Sequence, residues 1–254
     1  MAVIAVFNQK GGVGKTTTCL NVAAALALLD KSPLAIDLDP QAHLSLACGA
    51  ATNDSRETIA AFYREEKSLL TLVRNAGEGL HLIPGHLELS KIDALHGRST
   101  KVAMRLKQGL NEGLAWDDQP ILIDCCPALG VLSLNAIVAA DGVLIPVSAD
   151  FLSMQGVHRV DAALRVLEKK LGHTIRRRIV VTRFDARRKV ARDSLAELRE
   201  RYGDMVCETT VAETVGLTES PAHGKNIFEF APNSQGATDY NALTLELLNK
   251  GFFQ

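Results

Sequence analysis

The segment Asn8–Thr17, with the sequence Asn-Gln-Lys-Gly-Gly-Val-Gly-Lys-Thr-Thr, most constrains what this chain can fold into. It follows an apolar run at residues 3–7 and precedes a helix-forming run at residues 19–29. A short apolar run of this kind is typical of a buried parallel strand. The order strand, glycine loop, helix predicts a phosphate-binding loop, because its main-chain N–H groups can surround an anion at the positive end of a helix.

The glycine loop supplies candidate contacts for a nucleoside triphosphate and its metal. We expect Lys15 to reach the β- and γ-phosphates and the Thr16 hydroxyl to bind Mg²⁺. The general pattern has glycine at position 9, where this chain has Gln9. A glycine-rich turn that binds nothing is the alternative, and it leaves the Gly-Lys-Thr step at a helix start unexplained. The predicted nucleotide-binding residues are Lys10, Gly11, Gly12, Val13, Gly14, Lys15, Thr16 and Thr17.

A second lysine, Lys10, stands five residues before Lys15 in the same loop. At this spacing it cannot easily point into the same phosphate cradle within its own chain. It is better placed to reach the nucleotide of another subunit.

Apolar runs recur along the chain, with helical stretches between most of them. Strands are expected at residues 2–7, 34–38, 80–84, 120–124, 142–147, 178–183 and 206–211. This alternation predicts an α/β fold, a mostly parallel twisted sheet with helices on both faces. Ligands of such sheets bind at the carboxyl ends of the strands. The candidate segments 8–17, 37–41 and 124–127, and Asp150, follow predicted strands.

Length and composition favour one folded unit. The chain has 254 residues, of which 47% are hydrophobic, enough for a sizeable core. Residues 55–79 are expected to form a surface excursion or a helical insertion, with helix within residues 59–73.

Apolar runs are shorter than a membrane span and no charged leader precedes the first strand, so a cytoplasmic protein is expected. The five cysteines form no Cys-x-x-Cys spacing, which favours reduced thiols over a metal or redox site.

Residues 10–17 resemble the deviant Walker A box of the ParA/MinD ATPases. The resemblance is strongest to the ParA/Soj partition branch and continues through residues 36–41, 121–124, 144–147, 216–221 and 224–225. It implies a P-loop NTPase fold over residues 1–254 as a single ParA-like domain, with ATP and Mg²⁺ as cofactors. It also implies slow, partner-stimulated ATP hydrolysis and an ATP-dependent homodimer, in which the lysine matching Lys10 contacts the other subunit's ATP.

Three aspartates are candidates for the hydrolysis site. Asp124 ends an apolar strand, as a Walker B aspartate does, and is expected to hold Mg²⁺ through water. Asp37 and Asp39 follow another short apolar strand. Because side chains alternate along a strand, both carboxylates are expected on the same side. The resemblance assigns Asp39 to orienting the attacking water and places Asp37 near the magnesium shell. A simple turn at Asp39-Pro40 is the alternative. The predicted catalytic residues are Lys10, Lys15 and Asp39, and the predicted metal ligands are Thr16, Asp37 and Asp124.

Basic residues concentrate between Arg176 and Arg192, where eight stand against one acidic residue, although the net charge of the chain is only −1. Such a cluster can bind DNA phosphates without reading sequence, or it can be a solvated helix face. Residues 185–187, Asp-Ala-Arg, resemble a DNA-contacting step of the partition ATPases. Glu213 and Gly216 occupy positions that are often basic in that family. The predicted DNA-binding residues are Arg183, Arg187, Arg188 and Lys189.

The resemblance implies a cytoplasmic, nucleoid-associated protein that positions a plasmid, a chromosome origin or a large protein assembly. Its expected partners are a second copy of itself, non-specific double-stranded DNA and a ParB-like or cargo-adaptor activator. A MinD-like membrane-cycling ATPase is the alternative, although the tail at residues 245–254 carries one basic residue. A metabolic enzyme or metal-cluster carrier on the same scaffold is a third class. Cys126 stands where the family has proline, in the segment expected to respond to the nucleotide.

Overall fold

A computed structural model describes residues 2–96, 100–113 and 119–254. The strands are β1 (Val3–Val6), β2 (Leu34–Leu38), β3 (Arg74–Asn75), β4 (His81–Ile83), β5 (Ile121–Cys125), β6 (Gly142–Ser148), β7 (Arg176–Phe184) and β8 (Val206–Ala212). In the described part of the chain they form one eight-stranded sheet in the order β3-β4-β2-β5-β1-β6-β7-β8. The β3–β4 pair is antiparallel and the other pairs are parallel.

Helices follow most of the strands. The α-helices are α1 (Lys15–Leu28), α2 (His43–Ala47), α3 (Ile59–Tyr63), α4 (Leu89–His96), α5 (Thr100–Ala103), α6 (Arg105–Gly113), α7 (Val131–Ala139), α8 (Phe151–Leu171), α9 (Lys189–Tyr202), α10 (Val215–Glu219), α11 (Ile227–Phe230) and α12 (Gln235–Asn249). One-turn 3₁₀ helices lie at Ser55–Glu57, Leu70–Leu72, Gly203–Met205 and Ser220–His223. None of the described helices is both long and apolar enough to cross a bilayer.

Two hydrophobic cores lie on opposite faces of the sheet. Side chains alternate between the faces along each strand, so Val3 and Ala5 of β1 join one core while Ile4 and Val6 join the other. Residues of α3, α4 and α6–α9 cover the first face, and residues of α1, α2 and α10–α12 cover the second. Burial on both faces explains the nearly continuous apolar runs of the central strands.

The predicted α/β fold, mostly parallel with helices on both faces, is confirmed. The strand β3 was not predicted because it has only two residues, both polar. The expectation of a surface excursion at residues 55–79 was partly wrong. Ile59, Leu69 and Leu72 are almost fully buried and belong to the first core, so this segment covers part of the sheet.

Candidate nucleotide-binding site

The glycine loop joins β1 to α1 and is fixed by β7. Gly12 and Gly14 have φ angles of +74° and +82°, left-handed conformations that glycine adopts without a steric penalty. A β-carbon at Gly11 or Gly12 would meet no atom within 4 Å, so the space beside these positions is open. The hydroxyl of Thr182 donates a hydrogen bond to the main-chain oxygen of the buried Val13 at 2.9 Å, which holds the loop against the sheet.

Lys15 is the first residue of α1 and is buried among negative groups. Its Nζ donates a hydrogen bond to the main-chain oxygen of Lys10 at 3.1 Å. Burial lowers the pKa of Lys15, because removal from water disfavours the charged ammonium, while Asp124 and Asp39 oppose this shift. The lysine is thereby held against the loop backbone, with the charges of Asp124 and Asp39 near enough to act on it.

Lys10 has different surroundings. Its Nζ lies 2.8 Å from Oδ1 and 3.0 Å from Oδ2 of Asp150, just after β6. Asn8 fixes the local backbone by accepting from the Lys10 main-chain N–H at 3.1 Å and donating to the Pro146 carbonyl at 2.8 Å. The ammonium groups of the two loop lysines therefore have different partners, the Lys10 carbonyl for Lys15 and the Asp150 carboxylate for Lys10.

A cavity of about 790 Å³ opens beside the loop, a size suited to a small organic ligand. The loop contributes to its wall Gly11, Gly12, Gly14, Lys15, Thr16 and Thr17. Asp39, Gln41 and Pro127 line the side towards β2 and β5. Thr182, Arg183 and Glu213 line the side towards β7 and β8. Among the described residues, Lys15 lines this cavity and Lys10 does not.

Asp124 meets the helix start of α1 at the end of β5. Its Oδ2 accepts a hydrogen bond from the Thr16 hydroxyl at 2.7 Å. Its Oδ1 is buried and has no hydrogen-bond partner among the described residues. Burial, reinforced by the neighbouring charge of Asp37, raises the pKa of Asp124 well above its usual value. A buried carboxylate oxygen without a hydrogen-bond partner is stabilised by a bound cation.

Asp37 lies beside Asp124 in the β2–β5 register and is fully buried. Its Oδ1 accepts from the Asp39 main-chain N–H at 3.1 Å. Its Oδ2 accepts from the main-chain N–H of Ser45 at 2.8 Å and from the Ser45 hydroxyl at 2.7 Å. Burial raises the pKa of Asp37 to about 6, against these hydrogen bonds. Asp37 thus fixes the segment that carries Asp39, and its predicted place near a metal stays a prediction.

Asp39 lies at the cavity wall, 8% exposed. Its Oδ1 accepts a hydrogen bond from the Gln41 main-chain N–H at 2.9 Å, which orients the carboxylate. The structure thus brings Lys15, Asp39 and Asp124 together, because their strands end at the same edge of the sheet. The predicted water-orienting role of Asp39 stays a prediction.

The donor groups suit a magnesium ion. The Thr16 hydroxyl and the unpartnered Asp124 oxygen are hard oxygen ligands. Among the described residues, no group of three or more His, Cys, Asp or Glu side chains could hold a metal by itself. Magnesium usually keeps several waters and binds through one or two carboxylates together with phosphate oxygens. A sparse oxygen donor set beside a phosphate loop therefore fits this ion.

Arg183 differs from the other predicted DNA-binding residues in its contacts, which are with Glu213 and the glycine loop. It has φ of +51°, a left-handed conformation that is uncommon for a side chain with a β-carbon. Its Nε and Nη2 donate to Oε1 of Glu213 at 2.9 and 2.6 Å. Its Nη1 donates to the main-chain oxygen of Gly12 at 3.3 Å. The predicted sites did not include Glu213, which was noted only as a departure from a basic position.

The other three predicted DNA contacts form a basic loop, defined as residues 185–189. The side chain of Arg187 is 91% exposed and binds both Asp185 oxygens, at 2.9 and 3.0 Å. Arg188 pairs with Asp185 at 3.6 Å and its side chain is 73% exposed. Lys189 begins α9 and is exposed. Arginines beside Asp185 lower its pKa to about 2, so this carboxylate is ionised at neutral pH.

Three arginines of the basic sequence cluster have structural partners instead. The side chain of Arg177 is 9% exposed and forms ion pairs with Asp161 and Glu168 of α8. Arg176 donates to the main-chain oxygens of Gly251 and Gln254 at 2.8 and 2.7 Å, and Arg178 donates to the Asp204 carbonyl. The basic surface available to a partner is therefore smaller than the sequence cluster.

Comparison with known proteins agrees with this geometry. Residues 1–177 match a family model described as an AAA domain. The sporulation initiation inhibitor protein Soj of Bacillus subtilis is 32% identical over 251 residues, covering 98% of this chain and 99% of that protein. The chain belongs to the ParA/Soj-type partition ATPases. The chromosome-partitioning ATPase Soj of Thermus thermophilus is 36% identical over 247 residues, covering 96% of this chain and 94% of that protein.

A solved structure has the same fold. It is called cobyrinic acid a,c-diamide synthase from Mycobacterium smegmatis, with a bound ATP analogue and magnesium. Its TM-score is 0.84 and its identity 27%, covering 99% of this ParA/Soj-type chain and 97% of that one. The recognition made from residues 10–17 and the later motifs is confirmed.

Proposed function

We propose that this protein is a dimerising ATPase of ParA type that positions or segregates a cargo through nucleotide-gated, non-specific DNA binding. One ParA-like ATPase domain spans residues 1–254, and a ParB-like or cargo-adaptor protein stimulates its slow hydrolysis. The observation that carries the proposal is the division between the two loop lysines. Lys15 faces the cavity of its own chain, whereas Lys10 is directed to Asp150.

ATP and Mg²⁺ are the cofactors under this proposal, as in the related structure with an ATP analogue and magnesium. Residues 11–17 supply main-chain N–H groups and the Lys15 ammonium to the phosphates. Thr16 and Asp124 would hold the metal, with Asp37 near it. The bound ion neutralises phosphate charge.

Hydrolysis depends on positioning more than on covalent chemistry. Asp39 lies at the cavity wall on the side of β2 and β5, with one oxygen bonded to the Gln41 N–H. That hydrogen bond leaves the carboxylate oriented to hold a water for attack on the terminal phosphate. The buried Lys15 balances negative charge that develops there.

DNA is bound by the basic loop. Arg187 and Arg188 carry exposed guanidinium groups, and Lys189 adds a third cation. Phosphate contacts of this kind give affinity that falls as salt rises and does not depend on sequence. The protein is then nucleoid-associated in its ATP state, and hydrolysis releases it.

A DNA-binding assay, which measures how much protein is retained on DNA, tests the proposal directly. Wild-type protein and Arg187→Glu are compared with ATP, with ADP and without nucleotide, at two salt concentrations. The matched control is Arg56→Glu, because Arg56 makes the same contacts with Asp54, from its main-chain N–H at 3.0 Å and its guanidinium at 2.9 and 2.8 Å, on a different surface. We expect ATP-dependent, salt-sensitive retention that Arg187→Glu weakens and Arg56→Glu preserves. No retention in any state contradicts DNA tracking.

A MinD-like membrane cycle receives less support. In the described structure, Leu247 and Phe252 of the tail are buried in the second core. These two apolar side chains are therefore used for packing and are not available to a membrane. Sedimentation with anionic liposomes in the presence of ATP tests this alternative.

A metabolic enzyme is a third candidate, because the related solved structure is named as a synthase. In that case rapid ATP turnover would require a small-molecule acceptor. Turnover stimulated by DNA or a protein partner, with no acceptor present, favours the partition function.

A further inference from the structure

The strand order assigns the two ends of a nucleotide to opposite sides of the glycine loop. β1, which leads into the loop, lies between β5 and β6 in the sheet. The candidate hydrolysis residues lie on the β5 side of the loop, because Asp39 follows β2 and Asp124 stands near the end of β5. The terminal phosphate is therefore expected on that side. The sugar and base must then extend along the other part of the cavity, towards the ends of β7 and β8.

Arg183 and Glu213 line that other part of the cavity. Arg183 lies within an irregular step of the β7–β8 register, between Val181 and Phe184. Its guanidinium joins Glu213 to the Gly12 carbonyl of the loop. The side chains of Arg183 and Glu213 are 55% and 45% exposed, so both remain accessible to a ligand in the cavity. A left-handed arginine at a ligand cavity is the kind of backbone strain that functional sites retain.

We propose that Arg183 and Glu213 contact the nucleobase and that this ion pair admits guanine as well as adenine; the inference rests on the nucleotide-binding function proposed above. Adenine presents one amino group and ring-nitrogen acceptors. Guanine presents its amino group and the adjacent ring N–H to a carboxylate, and its O6 and N7 to a guanidinium. The Glu213 carboxylate has acceptor capacity for two N–H donors, and the Arg183 guanidinium has the donors that O6 and N7 require.

The substitution Glu213→Gln should weaken the binding of guanine but not that of adenine. Glutamine keeps one carbonyl acceptor, which suffices for the adenine amino group. Its other end becomes an NH₂ group, which faces the guanine N–H donors and rejects them. The substitution removes one charge-assisted hydrogen bond and adds a donor–donor contact. The affinity for GTP should therefore fall at least about tenfold.

Competition binding tests the inference without measuring turnover. A fluorescent ATP analogue bound with Mg²⁺ is displaced by ATP, GTP or CTP, and the ratio of the GTP and ATP dissociation constants is compared between variants. The variants are Glu213→Gln, Glu213→Asp, which keeps the carboxylate, and Glu57→Gln. The last is the matched control, because Glu57 forms a surface ion pair with Arg74 at 2.5 Å, away from the cavity.

In the wild type we expect a GTP-to-ATP ratio within about tenfold. The ratio should rise at least about tenfold in Glu213→Gln, and it should stay near the wild-type value in Glu213→Asp and Glu57→Gln. Failure of GTP to compete in a wild type that binds ATP, or an unchanged ratio in Glu213→Gln, overturns the inference. Absence of ATP binding in the wild type would instead contradict the proposed function. Because the readout is a ratio within one variant, a partly unfolded sample does not mimic the effect.

Discussion

The Nζ atom of Lys15 donates a hydrogen bond to the main-chain oxygen of Lys10, 3.1 Å away, while the Lys10 side chain pairs with Asp150. One lysine therefore uses the backbone of the other as a support. The backbone contact does not require the Lys10 side chain, so substitutions at the two positions should have different consequences.

Lys10→Ala should keep ATP binding within about threefold of wild type but lose the ATP-dependent dimer, because Lys10 does not line its own chain's cavity in the described structure. Light scattering after size-exclusion chromatography with a slowly hydrolysed ATP analogue measures the dimer. Asp150→Asn, which retains the lysine, is the control and should still dimerise. A normal dimer in Lys10→Ala would remove the cross-subunit role.

Lys15→Ala should weaken ATP binding at least about a hundredfold, because a buried cation that contacts phosphates makes charge-assisted hydrogen bonds. Isothermal titration calorimetry with Mg²⁺ measures the change. Lys31→Ala, at an exposed position after α1, should bind as the wild type does. Affinity that Lys15→Ala leaves intact would place the phosphates elsewhere.

Asp39→Ala should slow ATP hydrolysis by about a hundredfold or more and prolong the ATP dimer, since general-base and water-positioning groups contribute on that scale. Phosphate release and dimer lifetime are measured together. Because the substitution keeps the main-chain N–H that binds Asp37, the fold should be retained. Normal hydrolysis would show that another group orients the water.

The free energy of unfolding should fall as the pH rises from about 4 to about 6, because burial raises the pKa of Asp37 to about 6. In this range the native carboxyl keeps a proton that the unfolded chain has released, so the native state binds more protons and rising pH favours unfolding. The contribution of Asp37 is at most about 3 kcal/mol. Urea unfolding without Mg²⁺, compared between wild type and Asp37→Asn, isolates it. A difference in unfolding free energy that does not change over this range would contradict the prediction.

Phe252→Ala should lower the free energy of unfolding by about 3–5 kcal/mol, as expected for a buried aromatic truncated in a core. Phe252 is 2% exposed, and a β-carbon at Gly142 would lie 2.8 Å from its ring, so the packing is close. Denaturant unfolding measures the loss. Leu245→Ala, at a position 40% exposed, should cost far less. A loss in Phe252→Ala as small as that expected for an exposed leucine would mean that packing of Phe252 does not stabilise the fold.

Local pattern in the sequence predicted the central sheet and the phosphate loop. The apolar runs of β1, β5 and β6 are recognisable because burial on both faces requires them. The gathering of Lys15, Asp39 and Asp124 followed from the rule that ligands meet the carboxyl ends of parallel strands. These features depend on neighbours in the chain or on a general property of the fold.

Features that depend on distant partners were not predicted. Arg176 and Arg177 appeared to be surface charges, because their partners lie at the end of the chain and on α8. The pairing of Arg183 with Glu213 joins residues 30 positions apart, and no spacing in the sequence indicates it. The shortness of β3 likewise conceals it, since only pairing with β4 defines that strand.

The position of β1 between β5 and β6 also bears on how such a protein can diverge. Groups placed to act on the terminal phosphate approach from one side of the loop, and groups placed at the far end of the cavity approach from the other. Changes at well-separated sites without shared partners combine nearly additively. Turnover rate and ligand choice can therefore be altered independently in this scaffold, so a lineage can acquire a new preference without first rebuilding its chemistry.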